Sequence, residues 1–343
     1  MSLSTKYRPD DFECVLGQTV VVNILRSMCE NRAGLSNRNF LFVGPAGCGK
    51  TTLARIVATK LNNGVRECIE IDAASNSGVD AMRDIVQQAR AFPINCEYKI
   101  WIIDECHALS NQAWQSLLKV LEESPARSVF IFCTTNPEKI PSTIISRVQV
   151  FRLSKLSTDL ISQRLKYVLD SEIADGEQIS YQDTAIRYIA KIANGGMRDA
   201  LTLLDKALAY SNNISDATIV EALDLPDYDR YFSLLSYISK RDNSGIVEEV
   251  NSVFSSGTNA VSWFDGFFAF LVNIVKYIYS QDISKTTIPD VYADKISVYT
   301  QKHANICLVL SYTVSTMLSE MRISPYQQEV VLMHLCKPTK GGD

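Results

Sequence analysis

The chain has 343 residues, of which 46% are hydrophobic and 21% are charged, and its formal net charge is −4. This composition is typical of a soluble globular protein, and the length predicts two or three domains. A mildly acidic balance excludes a surface that binds nucleic acid along its whole extent, although a local basic lining inside a ring stays compatible with it.

The sequence predicts neither export nor membrane insertion. Residues 1–6 lack the apolar core of a signal peptide. The most apolar run, 263–279, is interrupted by Asp265, Asn273 and Lys276, and we predict that it is too short and too polar to span a bilayer. We therefore expect a cytoplasmic protein without membrane contact.

The nine cysteines are scattered along the chain and include no C-x-x-C pair. Several of them lie inside apolar runs. This usage predicts reduced thiols in the core of a cytosolic protein, and it predicts no zinc site.

Short apolar runs alternate with helical patterns from residue 39 to about 153. The predicted strands lie near 39–43, 67–72, 98–103, 129–134 and 148–153, and the predicted helices lie near 50–61, 78–91 and 110–123. Such alternation is typical of a parallel sheet with helices on both faces. We predict an α/β domain over residues 1–154.

The β signal stops after residue 155, and apolar residues then recur at helical spacing. This pattern predicts a small helical domain over 155–224. A proline near residue 226 follows a helical run, and the slightly acidic segments beyond it are rich in Tyr, Phe and Leu. We predict an all-helical packing or oligomerisation domain over 225–343.

A complete G-x-x-x-x-G-K-T phosphate loop directly follows the first predicted strand. It consists of Gly44, Pro45, Ala46, Gly47, Cys48, Gly49, Lys50 and Thr51, followed by Thr52. Its glycines let backbone N–H groups turn towards a polyphosphate at a helix N-terminus, and the lysine reaches the β- and γ-phosphates. The Thr51 hydroxyl can ligate Mg²⁺. The loop predicts binding of ATP or GTP.

Two carboxylates follow the strand at 98–103. Asp104 can hold Mg²⁺ through water, and Glu105 can orient or polarise an attacking water. Taken alone, such a pair is usually a helix N-terminal dipole pair, but with the phosphate loop it predicts hydrolysis. His107, close behind, is as often structural as functional.

Further polar residues are expected at the same edge of the sheet and at the end of the segment that follows it. Thr135 and its neighbours Thr134 and Asn136 can hydrogen-bond a γ-phosphate or its water, or they can cap the next short helix. Arg147 follows at the end of the next segment and is expected on the far side of the domain from its own phosphate loop. It could therefore serve a neighbour's nucleotide, or form a surface salt bridge.

The order of these motifs, ending in Gly195 to Leu201 with Arg198, resembles the AAA+ ATPases of the clamp-loader family. Within that family it is most similar to the gamma/tau subunits of bacterial DNA polymerase III. The likeness is carried by the stretches 6–9, 16–18, 70–80, 117–123 and 140–147. It is dense over residues 6–210 and faint beyond.

The resemblance implies roles for particular residues. Arg8, Pro9, Leu16 and Gly17 would border the adenine, Thr135 would be sensor 1, and Arg147 would be a finger acting in trans. Arg198 would be the sensor 2 arginine, and a lid arginine that reaches the γ-phosphate also couples domain orientation to the nucleotide. The expected cofactors are ATP and Mg²⁺.

The resemblance also implies partners. Clamp loaders assemble as five-subunit spirals, homomeric or mixed, through a helical collar that the third domain would provide. They open a sliding clamp and place it on primed DNA without reading its sequence. An exposed Phe92 in the loop 91–95 would be an apolar anchor for the clamp, or it would pack within this chain. Ser110, Asn111 and the turn at 75–76 are candidate contacts to DNA phosphates.

The sequence departs from the family pattern in three ways. Bacterial members usually carry a four-cysteine zinc module where only residues 61–66 separate helix from strand here. Val148 replaces the cysteine of the usual Ser-Arg-Cys motif, with little expected effect because Arg147 is kept. The chain lacks the long tau extension, as expected of a short gamma form or a compact phage or plasmid version.

Two other functions remain open at this point. A branch-migration helicase of the same superfamily would need a basic winged-helix domain, which the slightly acidic region from 227 argues against. A scaffold that binds nucleotide without hydrolysing it would have been indicated by loss of Lys50, Glu105 or Arg147, and all three are present.

Overall fold

The computed structural model describes residues 1–31, 39–65, 68–75, 78–93, 95–123, 125, 127–223, 225, 228–255, 257 and 259–336. Parts of several sequence features lie outside these residues, namely Arg66, Glu67, Asn76, Ser77, Ile94 and the positions 226–227. The chain falls into two compact units. Unit 1 comprises Met1–Glu177 and Ala193–Asp205, and unit 2 comprises Gln178–Ile192 and Lys206–Asp343. The division into three domains stays a prediction.

Unit 1 contains the predicted parallel sheet. Its strands are β1 (Phe40–Val43), β2 (Ile69–Asp72), β3 (Lys99–Asp104), β4 (Ser128–Thr134) and β5 (Gln149–Arg152). Their order is β2-β3-β4-β1-β5, and every neighbouring pair is parallel. The strands β1 and β4 are buried throughout their length, which explains why they read as continuous apolar runs in the sequence. The predicted α/β fold is confirmed.

The helices of unit 1 are α1 (Leu3–Lys6), α2 (Thr19–Glu30), α3 (Lys50–Leu61), α4 (Val79–Ala89), α5 (Asn111–Glu123), α6 (Ser142–Ile145) and α7 (Thr158–Ala174). Of these, α2 and α3 pack on one face of the sheet, and α4 and α5 pack on the other. Short 3₁₀ turns lie at Phe12–Cys14, Cys106–Ala108 and Pro137–Lys139.

Successive residues of each strand point to opposite faces. Phe40 and Phe42 therefore join one core with α2 and α3, whereas Leu41 and Val43 join another with α4 and α5.

Unit 2 contains the remaining elements. They are β6 (Ser180–Tyr181), α8 (Asp183–Ile192), β7 (Asn213–Ile214), α10 (Asp216–Ala222), α11 (Tyr228–Lys240), α12 (Asn243–Ser255), α13 (Ala260–Ser280), α14 (Ala293–Met321) and α15 (Gln327–Leu335). Two 3₁₀ turns lie at Ile283–Lys285 and Asp290–Tyr292. The helix α9 (Met197–Tyr210) begins in unit 1 and ends in unit 2.

The pair of strands β6 and β7 corrects the expectation that β structure ends after residue 155. They form a two-stranded parallel sheet, with Ser180 opposite Asn213 and Tyr181 opposite Ile214. Each strand has two residues, so neither produces an alternation that a sequence pattern could reveal.

An aromatic cluster forms much of the core of unit 2 and confirms its helical packing. Neighbouring ring centroids lie from 4.9 to 6.2 Å apart, at separations where edge and offset stacking are favourable. The cluster consists of Tyr228, Tyr231, Phe232, Trp263, Phe264, Phe267, Phe270 and Tyr292.

The helix α13 is longer than the apolar run that the sequence suggested. The Asn259 side chain accepts a hydrogen bond from the Ser262 N–H, which starts the helix at Ala260, and the helix continues to Ser280. By length and composition alone this helix could cross a membrane, so the prediction that the run is too short was wrong. Its buried side chains, Phe264 and Phe267 among them, pack within unit 2.

None of the nine cysteines, all of which lie among the described residues, forms a disulfide. Cys48, Cys106, Cys133 and Cys307 are buried, and burial raises the pKa of each of these thiols. Cys14 is exposed, which corrects the expectation of core thiols throughout. It lies in a short 3₁₀ turn, where no apolar period in the sequence indicated which side faces solvent.

Candidate active site

The phosphate loop connects β1 to α3 in unit 1, as predicted. Gly47 and Gly49 have φ of 70° and 103°, a backbone conformation that side chains with a Cβ rarely adopt. Lys50 is buried at 6% exposure, and its ammonium donates to the carbonyls of Gly44 and Pro45 at 2.9 Å each. The lysine is thus held beside the N-terminus of α3, where N–H groups and the helix dipole favour a phosphate.

Asp104, at the end of β3, lies next to the loop threonine. The Thr51 hydroxyl donates to Asp104 Oδ2 at 2.6 Å, and the Glu105 N–H donates to Asp104 Oδ1 at 2.9 Å. A hydroxyl and a carboxylate side by side offer the hard oxygen ligands that Mg²⁺ prefers, together with phosphate oxygens. The pair fits Mg²⁺ bound with a nucleotide.

The described residues contain no group of three or more His, Cys, Asp or Glu side chains placed to hold a metal ion. The expectation that no zinc binds stays a prediction.

Glu105 has a left-handed backbone conformation, with φ of 46° and ψ of 41°. Its carboxylate oxygen Oε2 accepts from the Thr135 hydroxyl at 3.2 Å, and His107 Nδ1 lies 3.2 Å from the same oxygen. His107 Nδ1 also lies 3.1 Å from the Thr134 hydroxyl. The structure therefore joins Glu105 to Thr135 and adds His107 as a third member.

Cationic side chains surround the same pocket. Arg8, Arg164 and Arg198 line it together with Lys50. Partial burial and the nearby positive charges of Arg55 and Arg198 lower the pKa of Arg8. Neither Arg8 nor Arg198 forms an ion pair with a residue that the structure describes. The excess of positive charge on this wall suits a polyphosphate ligand.

The pocket also has an apolar lining. Pro9 and Leu16 line it together with Val15, Leu156 and Leu201, and the expected contact of Pro9 and Leu16 with adenine stays a prediction. Gly17 is placed behind this lining, where a Cβ would come within 2.5 Å of Leu156 Cδ2. The remaining loop residues in the lining are Ala46, Gly47, Cys48, Gly49, Thr51 and Thr52.

Arg147 lies outside the lining of this pocket, at the end of α6. Its guanidinium donates to Glu122 Oε1 at 2.6 Å and to the Thr143 carbonyl at 2.7 Å. Its expected action on a neighbour's nucleotide stays a prediction.

Several residues of the pocket were not predicted from the sequence. Arg164 projects from α7, donates to the Tyr7 carbonyl at 3.4 Å and stacks over the Tyr167 ring at 4.7 Å. No local pattern marks it, because it is one arginine in an ordinary amphipathic helix. Tyr7 directly precedes Arg8 and Pro9, so the motif that predicted those two residues could also have indicated Tyr7. The others are Ser4, Cys14, Val15, Leu156, Met197 and Leu201.

The fold and the site define a P-loop ATPase of the AAA+ class. The family described as "DNA polymerase III, delta subunit" matches residues 65–157, and the family described as "DNA polymerase III clamp loader subunit, ATPase lid domain" matches residues 160–213. These two matches adjoin each other along the chain.

Curated relatives extend the likeness to most of the chain. The "DNA polymerase III subunit gamma" of Buchnera aphidicola subsp. Acyrthosiphon pisum is 32% identical over 325 residues, which is 88% of this chain and 85% of that protein. The "DNA polymerase III subunit gamma/tau" of Mycoplasma genitalium is 33% identical over 81% of this chain and 49% of its own length. The chain belongs to the DNA polymerase III gamma/tau family, and the resemblance read from its motifs is confirmed.

The relatives also include longer proteins. The "DNA polymerase III subunit tau" of Bacillus subtilis is 40% identical over 61% of this chain and 39% of its own length. The chain thus spans about half or less of the length of these two longer relatives.

Solved structures show the same fold at lower similarity. The RuvB Holliday junction branch migration motor of Thermotoga maritima matches with a TM-score of 0.53 and 20% identity, over 67% of this chain and 79% of that one. At this identity the likeness concerns the fold alone.

Proposed function

We propose that this protein hydrolyses ATP with Mg²⁺ to load a sliding clamp onto primed DNA, as a gamma-type subunit of a clamp loader in the bacterial cytoplasm. The observation that carries the proposal is the convergence of the phosphate loop, the Asp104–Glu105 pair and three arginines on one pocket. Membership of the gamma/tau family supports the choice of this function among those of AAA+ proteins.

Each group of the pocket has a separate task in this proposal. The loop N–H groups and Lys50 bind the phosphates, and Thr51 with Asp104 would hold Mg²⁺, which neutralises charge on the transferred phosphoryl group. Glu105 accepts a hydrogen bond from the attacking water and aims it. Thr135 fixes the Glu105 carboxylate, at 3.2 Å in the structure.

Arg198 ties the nucleotide to the lid. It lies at the start of α9, within the residues that match the ATPase lid family, and it lines the pocket. A guanidinium that pairs with the γ-phosphate favours one lid position with ATP and another with ADP. In this way ATP binding would open the clamp, and hydrolysis triggered by DNA would release it.

Neighbouring subunits complete the proposed machine. We place this chain in a five-subunit assembly, homomeric or mixed, in which Arg147 acts on the neighbour's ATP. Phe92 is 75% exposed, with the Arg127 guanidinium 5.9 Å from its ring centroid, so it supplies apolar surface for a clamp. Ser110 and Asn111 at the start of α5, and Ser75, are the proposed phosphate contacts on DNA.

A branch-migration motor is the second candidate, because the RuvB structure shares the fold. The winged-helix domain that such a motor would need includes a β-hairpin. Within residues 228–336, the described part of the C-terminal region is helical and shows no strand. We therefore favour clamp loading.

The ATPase rate, measured with and without primed DNA and a cognate sliding clamp, tests the proposal. We expect strong stimulation by both ligands together, and Arg147→Ala to lose roughly 10³- to 10⁵-fold in rate. The matched control is Arg152→Ala, an exposed arginine at the end of β5, which should keep the full rate. Stimulation by DNA alone would favour the branch-migration motor, and no hydrolysis under any condition would favour a scaffold.

Mixing two inactive variants distinguishes action in trans from action in cis. In an assembly that contains both Arg147→Ala and Glu105→Gln subunits, an intact Arg147 can reach an intact Glu105 across an interface. Part of the ATPase rate should therefore return on mixing. A mixture as inactive as its components would contradict the proposed role of Arg147.

A further inference from the structure

Residues 3–9, which we call the N-terminal strap, form one wall of the nucleotide pocket. Ser4, Tyr7, Arg8 and Pro9 line the pocket directly. The strap contains only the four-residue helix α1, and a helix of this length is not stable by itself. Contacts with other elements must therefore set its position.

The strongest of these contacts is an ion pair with α7. Lys6 Nζ lies 2.8 Å from Glu172 Oε1 and 3.1 Å from Asp175 Oδ2. The Glu172 side chain is 14% exposed, whereas those of Lys6 and Asp175 are 40% and 65% exposed. Because an ion pair gains strength as water is excluded, Glu172 is the more effective anchor of the two carboxylates.

Two sets of hydrogen bonds to the backbone of the strap also hold it in place. The Leu3 N–H donates to both carboxylate oxygens of Asp205, at 3.2 and 3.1 Å, and Arg164 donates to the Tyr7 carbonyl at 3.4 Å. All four anchoring side chains, on Arg164, Glu172, Asp175 and Asp205, lie within residues 160–213, which match the ATPase lid family. The strap is thus fastened to the lid sequence and simultaneously lines the pocket.

Lys6 and Glu172 are both charged at neutral pH. Hydrogen bonds from Lys6 and Tyr7 lower the pKa of Glu172 from its usual 4.5, and the two carboxylates raise the pKa of Lys6. Because the pKa of the Glu172 carboxyl is lowered, its ion pair with Lys6 stabilises the folded chain above pH 4.5. This stabilisation is lost as the pH falls below that value.

We propose that Glu172 is a positioning residue for the nucleotide, which holds Lys6 and thereby fixes the strap as a wall of the pocket. Binding of ATP and the placement of α7 then depend on each other, because any coupling between two sites is reciprocal. This inference rests on the proposed function, since it takes ATP as the occupant of the pocket.

Equilibrium binding of Mg-ATP to the full chain tests the inference. Glu172→Gln and Lys6→Met should each weaken ATP binding about five- to tenfold, because the ion pair between the strap and Glu172 is lost. The control is Glu177→Gln, an exposed carboxylate just beyond α7 that forms no ion pair with a described residue. Its affinity should equal that of the wild type.

The exchanged pair Lys6→Glu with Glu172→Lys, made together with Asp175→Asn so that two carboxylates do not face each other, provides the decisive variant. It should recover most of the lost affinity, which a loss of general stability would not explain. The thermal midpoint of each variant is measured alongside. A lower midpoint with unchanged ATP affinity would make Glu172 a purely structural residue and overturn the inference.

The two proposals fail differently in this experiment. A wild-type chain that does not bind ATP would overturn the proposed function and the inference with it. A wild-type chain that binds ATP, with equal binding by Glu172→Gln, would overturn the inference alone.

Discussion

Two charged sites, one in each compact unit, are arranged in opposite ways. In unit 1, Arg8 and Arg198 line a pocket without an ion pair to any described residue. In unit 2, the Lys191 side chain is only 2% exposed and donates to Asp290 at 2.6 Å and to the Ile288 carbonyl at 3.1 Å. Arg187 pairs with the second oxygen of Asp290 at 3.0 Å.

The difference teaches how to distinguish a ligand site from structural support. A buried charge costs much free energy unless it is paired, so a fully paired charge such as Lys191 contributes to the fold. Cations left without an anion around a pocket are compatible with a stable fold when an anionic ligand joins them. Substitutions of the charged residues that line the pocket should therefore change catalysis and leave the fold intact, and substitutions at Lys191 should do the reverse.

Among the substitutions that compare the two units, the largest effect is expected at Glu105. Glu105→Gln should reduce the ATPase rate by roughly 10²- to 10⁴-fold, because the amide cannot accept a proton from the water that it orients. ATP affinity should be unchanged, since Lys50 and the loop N–H groups bind the phosphates. Single-turnover kinetics measure the ATPase rate, and equilibrium binding measures the ATP affinity. Unchanged turnover would remove Glu105 from the catalytic machinery.

The complementary substitution lies in unit 2. Lys191→Met should lower the free energy of unfolding by about 3 kcal/mol, because Asp290 keeps only Arg187 and two carbonyls lose a donor. ATP binding at 25 °C should be unchanged. Urea denaturation of the full chain measures the difference, with Lys276→Met as the control for an exposed lysine on α13. Loss of ATP binding in a folded Lys191→Met protein would break the distinction between the two units.

The smallest effect is expected at His107. This residue contacts Glu105 in the candidate site and also the Thr134 hydroxyl at the end of β4. His107→Ala should lower turnover roughly three- to tenfold, because Glu105 loses one of two neighbours while the Thr135 hydrogen bond at 3.2 Å remains. ATP affinity and the thermal midpoint should stay close to those of the wild type. A lower midpoint with full turnover would assign His107 to structural support.

The sequence contained enough to predict the sheet and the centre of the site. Glycine spacing fixes the phosphate loop locally, and the fully buried β1 and β4 produce apolar runs that need no tertiary information. Asp104 and Glu105 were found because the carboxyl end of a parallel strand beside such a loop is where ligand-binding side chains collect.

Other features depend on contacts between distant segments. Arg164 becomes a pocket residue only because α7 packs beside the strap, and His107 meets Glu105 through a tight left-handed turn. The two-residue strands β6 and β7 exist because they pair with each other across more than thirty positions. No local period in the sequence carries information of this kind.

The position of β1 in the sheet has a consequence for how the protein is made. Its neighbours are β4 and β5, so Phe40 pairs with Ile131 on one side and Gln149 on the other. A growing chain must therefore reach residue 152 before the strand that carries the phosphate loop has both partners. Because such distant pairings close large loops and form slowly, the ability to bind nucleotide should arise late in synthesis, after most of unit 1 has left the ribosome.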